Sequence, residues 1–257
     1  MRRLDSIAVP FGRGSARTHG GRGGALLASR AMARTGRQEA AAPARDVGVG
    51  PHPRPWPSDP RLDPELLAAG DRRNVADRYR YWRVEAIVAD LDARRHPFHV
   101  AIENWRHDFN IGAVVRNANA FLAAEVHVVG ERRWNRRGAM MTEVYQRLRH
   151  HADLDALAAW AAAEGLPLLG VDNLPGAEPL DRAALPRECV LLFGQEGEGL
   201  SAAARGRVAA LLSIPQYGST RSINAGAASA IAMYEWCRRH AGGVPETVAH
   251  PRGSLPE

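Results

Sequence analysis

The chain contains no lysine: all 34 of its basic residues are arginine. With the heavy use of alanine and glycine, that bias fits a GC-rich coding sequence, so abundant guanidinium groups are not in themselves a sign of guanidinium chemistry. Cysteine is scarce too. Cys189 and Cys237 stand far apart with no partnering histidine pattern, which argues against a disulfide framework or a zinc site and for a reducing compartment. No apolar run reaches the ~18 residues of a membrane span, and the start MRRLDSIAVPFGRG lacks the apolar region of a secretory signal. These absences lead to the expectation of a soluble cytoplasmic protein with no membrane association and no metal. What is present is a net charge of +6 over 257 residues. Such a surface attracts polyanions, and the length allows one or two domains with a sizeable core.

Residues 1–60 are rich in Gly, Arg, Ala and Pro without apolar periodicity, and read as a disordered basic tail ending in the extended linker PHPRPWPSDP. From 61 to 96 the pattern turns helical, with Leu66, Leu67, Val75, Tyr79, Trp82, Ala86, Ile87 and Leu91 at helical spacings. Its polar side carries Arg72, Arg73, Arg78, Arg80 and Arg83, either a solvated face or an RNA contact. Beyond Pro97 strands and helices alternate. FHVAIEN, EVHVVG, LPLLGVD, CVLLFG and VAALLSIP are expected strands; segments 111–123, 153–165 and 223–240 are expected helices. That alternation predicts an α/β domain over 97–242 with a helix-covered parallel sheet, followed by a tail at 243–257.

Three places could carry chemistry, since ligands of parallel sheets bind at the carboxyl ends of strands. In ENWRHDFNIGAVVRNANAF, Asn110 opens a helix and Arg116 falls off its apolar stripe. In LLFGQEGEGLS, Gly194, Gly197 and Gly199 let backbone groups approach a ligand, although the loop is neither GxGxxG nor a P-loop, and on spacing alone Glu196 and Glu198 read as solvated turn residues. In IPQYGSTRSINAGAASAIAMYEW, a strand ends in a polar turn and enters a helix crowded with Gly, Ala and Ser, whose small side allows close packing against other backbone.

Taken in order, NxGxVxRNA (110–118), FGQEGEGLS (193–201) and IPQYGSTRSIN (214–224) resemble the three motifs of the SPOUT superfamily of RNA methyltransferases, in its SpoU/TrmH branch. The resemblance covers about residues 97–240. It implies a deep trefoil-knotted α/β domain, an exception to the unknotted rule. It implies S-adenosylmethionine held by Phe193, Gly194, Ile214, Pro215, Ile223 and Ala225, and a homodimer with sites at the interface. It also implies methyl transfer to a ribose 2′-hydroxyl of structured RNA, transfer RNA ahead of ribosomal RNA and no DNA. Arg116 is the implied catalytic residue, entering from the partner subunit, with Asn110, Glu196, Ser222 and Asn224 supporting the pocket. A guanidinium stays protonated, so Arg116 is better suited to binding a phosphate and orienting the hydroxyl than to acting as a base. Where many relatives read SLNVS, this chain reads SINAGAAS, retaining Ser222 and Asn224. For RNA recognition the candidates are the helical extension and the loop ERRWNRRGAM, where Trp134 among arginines suits base stacking. The alternative from another class is a knotted RNA-binding protein without catalysis, serving RNA or ribosome maturation.

Overall fold

The computed structural model describes residues 48–105, 110–195 and 197–242. Its centre is a seven-stranded sheet: β1 Phe98–Asn104, β2 Val126–Gly130, β3 Leu148–His151, β4 Leu168–Val171, β5 Glu178–Pro179, β6 Cys189–Phe193 and β7 Ala210–Ser213. The strand order is β3-β2-β1-β6-β4-β7-β5, and every pairing is parallel. β6 lies between β1 and β4 with both faces covered, which is why CVLLF is apolar at every position and wholly buried.

Alternate residues along the strands feed two cores. On one face Phe98, Val100, Ile102, Leu191 and Phe193 pack against Ile111, Val114 and Val115 of α3 (Asn110–Ala120) and Met233 and Trp236 of α6 (Ala225–His240). On the other, Ala101, Val190 and Leu192 meet Leu157 and Ala161 of α4 (Leu154–Ala163) and Ala204 of the short α5 (Ala202–Arg205). Asp153 caps α4 by accepting from the Ala156 N–H, and Ser201 caps α5 in the same way. Arg238, Arg239 and His240 close α6 where its carbonyl end favours positive charge.

The small-sided start of α6 is pressed against α3. A Cβ on Gly226 would come within 2.9 Å of the Ala113 side chain, and Asn117 Nδ2 donates to the Gly226 carbonyl at 2.8 Å and to Ser229 Oγ at 3.0 Å. Ala227, next in the helix, faces solvent, so the close packing does not extend to every small residue of this stretch.

Upstream, the expected helical run resolves into α1 (Pro64–Ala69) and α2 (Val84–Asp92), numbered here with the helices above in chain order, joined by a loop holding a single 3-10 turn at Asp77–Tyr79. The loop wraps Asp71, a fully buried carboxylate that accepts from the Arg73 guanidinium at 2.9 and 2.7 Å and from the Tyr81 N–H at 3.0 Å. Of the arginines expected on a polar face, Arg73 and Arg80 are half-buried, and they and Arg83 donate to main-chain carbonyls. Residues 48–60 also depart from the expected tail: Val49 pairs with Asp71, and the His52 N–H donates to the Leu67 carbonyl at 2.8 Å. Residues 1–47 and 243–257 lie outside the described residues. Arg95 joins this extension to the sheet domain, donating to Asp92, Gln146 and the carbonyls of Ala123 and Tyr145. In the 131–140 loop, Trp134 is half-buried and packs against the main core, while Arg132, Arg136 and Arg137 are exposed.

Candidate active site

A cavity of about 470 Å³ opens at the carboxyl ends of β4, β6 and β7. Its floor is the loop after β6. Gly194 crosses the backbone of Gly199 and Leu200 so closely that a Cβ would overlap both, and the Gly199 N–H returns to the Gln195 carbonyl at 3.1 Å. Gly197 and Gly199 take φ of 92° and 67°, in the left-handed region that glycine enters without cost.

Asp172, at the end of β4, holds this loop in place. Its Oδ2 accepts the Leu200 N–H at 2.8 Å, and a side chain on Gly199 would run into the same carboxylate. Next to it, Asn173 Oδ1 accepts the Ile214 N–H at 3.1 Å, tying the end of β4 to the chain leaving β7. Gln195 is 8% exposed; its Nε2 reaches Glu198 Oε2 at 3.4 Å, while its Oε1 is buried with no hydrogen-bond partner among the described residues. A buried carbonyl oxygen without a partner costs about 1–3 kcal/mol. In the wall of a cavity it is a ready acceptor for a bound molecule's N–H or O–H.

The far wall is the start of α6. Asn224 caps the helix by accepting from the Ala227 N–H at 3.2 Å and donates through Nδ2 to Asn110 Oδ1 at 2.7 Å. The first and third sequence motifs therefore meet through a side-chain hydrogen bond spanning 114 positions.

Of the residues expected at the site, Phe193, Gly194, Ile214, Ser222, Ile223, Asn224 and Ala225 line the cavity. Asn110 lies buried behind Asn224, Pro215 is exposed outside the lining, and Arg116 is exposed on α3, also outside it. Glu196 lies outside the described residues. Arg221, one of the polar residues of the strand-to-helix turn, also lines the cavity, as do Asp172, Asn173 and Gln195, which sequence reasoning passed over. Asp172 and Asn173 stand at the carboxyl end of the expected strand LPLLGVD, where the rule applied to three other strands also holds, but an aspartate after a strand more often marks only a turn.

A parallel sheet with a glycine-built pocket at its carboxyl edge, closed by a small-sided helix, defines an α/β ligand-binding domain whose three ordered motifs converge. The chain belongs to the SpoU rRNA methylase family, whose model matches residues 97–234. Among individual proteins it is 31% identical over 196 residues to an uncharacterized tRNA/rRNA methyltransferase of Mycolicibacterium vanbaalenii, covering 70% of this chain and 60% of that one. It is 27% identical over 154 residues to the tRNA (guanosine(18)-2′-O)-methyltransferase of Escherichia coli K12, covering 58% of this chain and 67% of that one. The chain thus spans roughly half to two thirds of the curated relatives it matches. In three dimensions it is similar to the SpoU methyltransferase AviRb from Streptomyces viridochromogenes, crystallised with AdoMet. The TM-score is 0.53 at 24% identity, over 60% of this chain and 62% of that one, a likeness of fold.

Proposed function

We propose that this protein transfers a methyl group from S-adenosylmethionine to a ribose 2′-hydroxyl of structured RNA, with transfer RNA the favoured substrate. The observation that carries the reading is the cavity, where the second and third motifs share a wall and the first motif is bonded to it through Asn110. Family membership and the 2′-O activity named for the Escherichia coli relative support the reaction class.

The pocket fits the cofactor. Phe193, Ile214 and Ile223 offer apolar walls, Gly194 and Ala225 leave backbone accessible, and Gln195 Oε1 supplies an acceptor for an amino group. When bound, S-adenosylmethionine contributes an electrophilic methyl group. The chain's own residues then have to bring a 2′-hydroxyl into line and lower the cost of its lost proton. Ser222, exposed at the cavity wall, is placed to hold the ribose by a hydrogen bond. Arg116 binds the neighbouring phosphate as a fixed cation and orients the hydroxyl, and the proton leaves to phosphate or water.

Because Arg116 stands outside the cavity of its own chain, the reading includes a homodimer in which it completes the partner's site. The solvent face of α6 carries an exposed row of Ala227, Ile231 and Tyr234, one turn apart, which suits a second copy of this chain. The trefoil knot is part of the same proposal. Transfer of labelled methyl from S-adenosylmethionine to defined transfer and ribosomal RNA transcripts, with mapping of ribose methylation, tests the whole. Cofactor binding by calorimetry with no transfer to either RNA would favour the binding-only alternative, and no cofactor binding would remove the enzyme reading.

A further inference from the structure

Three histidines share the sheet face beneath α4, away from the cavity. His99 is the second residue of β1, His127 the second of β2, and His151 the last of β3. His99 Nδ1 lies 3.0 Å from His127 Nε2, and His127 Nδ1 lies 2.9 Å from His151 Nε2. Glu125, just ahead of β2, places Oε2 3.9 Å from the same His127 Nε2. The indole of Trp160 covers the group, its centroid 4.1 Å from that of His127, which is fully buried.

We propose that His99 Nδ1, His127 Nε2 and a Glu125 carboxylate oxygen bind a divalent cation of the zinc class, with water in the fourth position. The three donor atoms already lie within 4.8 Å of one another. Zinc takes nitrogen and oxygen donors tetrahedrally at about 2.0–2.2 Å, so neighbouring donors end up about 3.3 Å apart. Reaching that geometry opens the histidine pair by about 0.3 Å and brings the Glu125 carboxylate about 0.6 Å nearer His127 Nε2 and up to about 1.5 Å nearer His99, movements within the reach of a partly exposed glutamate side chain.

The chemistry balances. Without a cation the two facing ring nitrogens share one proton; with it, His99 carries its proton on Nε2 and both facing lone pairs point at the metal. His127 keeps its Nδ1 proton directed at His151 Nε2, the kind of outer partner that fixes the tautomer of a metal-binding imidazole. Mixed imidazole and carboxylate donors suit zinc better than calcium or magnesium. Arg149 works against the site, since its Nε donates to Glu125 Oε2 at 3.0 Å and must release it. The group lies toward the amino ends of β1 and β2, whereas the cavity lies at carboxyl ends. The cation would therefore cross-link two strands without entering methyl transfer.

Cobalt(II) is the probe, added to the purified full-length protein after chelator treatment. Expected are one equivalent of tetrahedral cobalt absorption, displaced by zinc, and a rise in melting temperature with zinc. His99→Ala should abolish the absorption while leaving the chelated protein's circular dichroism unchanged. Glu125→Gln should weaken binding about tenfold, and Arg149→Gln, at an exposed position that leaves all three donors in place, should strengthen it. Absence of saturable cobalt or zinc uptake overturns the proposal and leaves the histidines as a hydrogen-bonded chain. So does absorption that survives in His99→Ala, or binding indifferent to Arg149→Gln should His99→Ala fail to fold.

Discussion

Arg116 and Asp71 are both charged, and their surroundings give them opposite tasks. Arg116 is exposed and has no place in its own chain's core or cavity, so losing it should cost chemistry and leave the fold alone. Arg116→Ala is expected to lower methyl transfer by about 100-fold or more, the scale of removing a charge that acts on the reacting groups. Affinity for S-adenosylmethionine should stay within a few fold, and near wild-type transfer would refute the role. Asp71 is fully buried, and burial alone would raise its pKa. Hydrogen bonds from the Arg73 guanidinium and from the N–H groups of Arg73 and Tyr81 more than offset this and hold it at about 2, against an ordinary 3.8. A folded pKa below the unfolded one means that the charged form stabilises the fold above about pH 4, and that this contribution fades as pH falls toward 2. The shift corresponds to about 2 kcal/mol. Asp71→Asn should be less stable than the wild type by about that amount at pH 7, and the gap should close in acid. Urea unfolding at pH 7 and pH 3 checks this, a gap independent of pH being the contrary result.

The pairing of α3 with α6 sets the shape of the cavity. Gly226, Asn117 and the Asn110–Asn224 hydrogen bond fix how closely the helices approach and where the α6 N-terminus points. Gly226→Val would push a branched side chain into Ala113, an overpacking that costs about 1–3 kcal/mol. It should also displace Asn224, so a weaker response of melting temperature to S-adenosylmethionine is expected alongside the lower baseline. A variant equally destabilised with an intact cofactor response would uncouple the helices from the site.

The same elements mark what could be read from sequence. β1, β6 and β4 stood out as apolar runs because both of their faces are covered, and α4 and α6 because their apolar positions recur at helical spacing. β3, Leu148–His151, was missed: at the sheet edge three of its four residues are exposed, and LRHH has no alternation and a single apolar residue. The two-residue β5 and the four-residue α5 are too short to leave a period. At the site, the glycines of the second motif were legible because the crossing of Gly194 over Gly199 demands them. Asp172 was not, since an aspartate after a strand usually marks only a turn. The histidine group was out of reach for another reason. Its members are 28 and 24 positions apart and meet only through strand register, so cysteine scarcity could speak against a zinc finger but not against a site of this kind.

For the molecule as a whole, the decisive question is whether one chain holds a complete site. The cavity contains Ser222, Asn224 and the second-motif loop, while Arg116 stands apart from its lining and Ile231 and Tyr234 form an exposed row on α6. The dimer proposed above has that row at its interface and each Arg116 in the partner's cavity. Ile231→Arg with Tyr234→Arg should then give a folded monomer by sedimentation that has lost transfer, both residues lying away from the cavity lining. Complementation gives a sharper result. Arg116→Ala keeps the cavity but lacks the arginine; Asn224→Ala keeps the arginine but has a damaged cavity. If Arg116 acts across the interface, unfolding and refolding the two inactive variants together yields mixed dimers with one intact site. Random pairing then restores about a quarter of wild-type activity. If Arg116 serves its own chain, neither site in a mixed dimer is complete and the mixture stays inactive, even though sedimentation shows that dimers have formed.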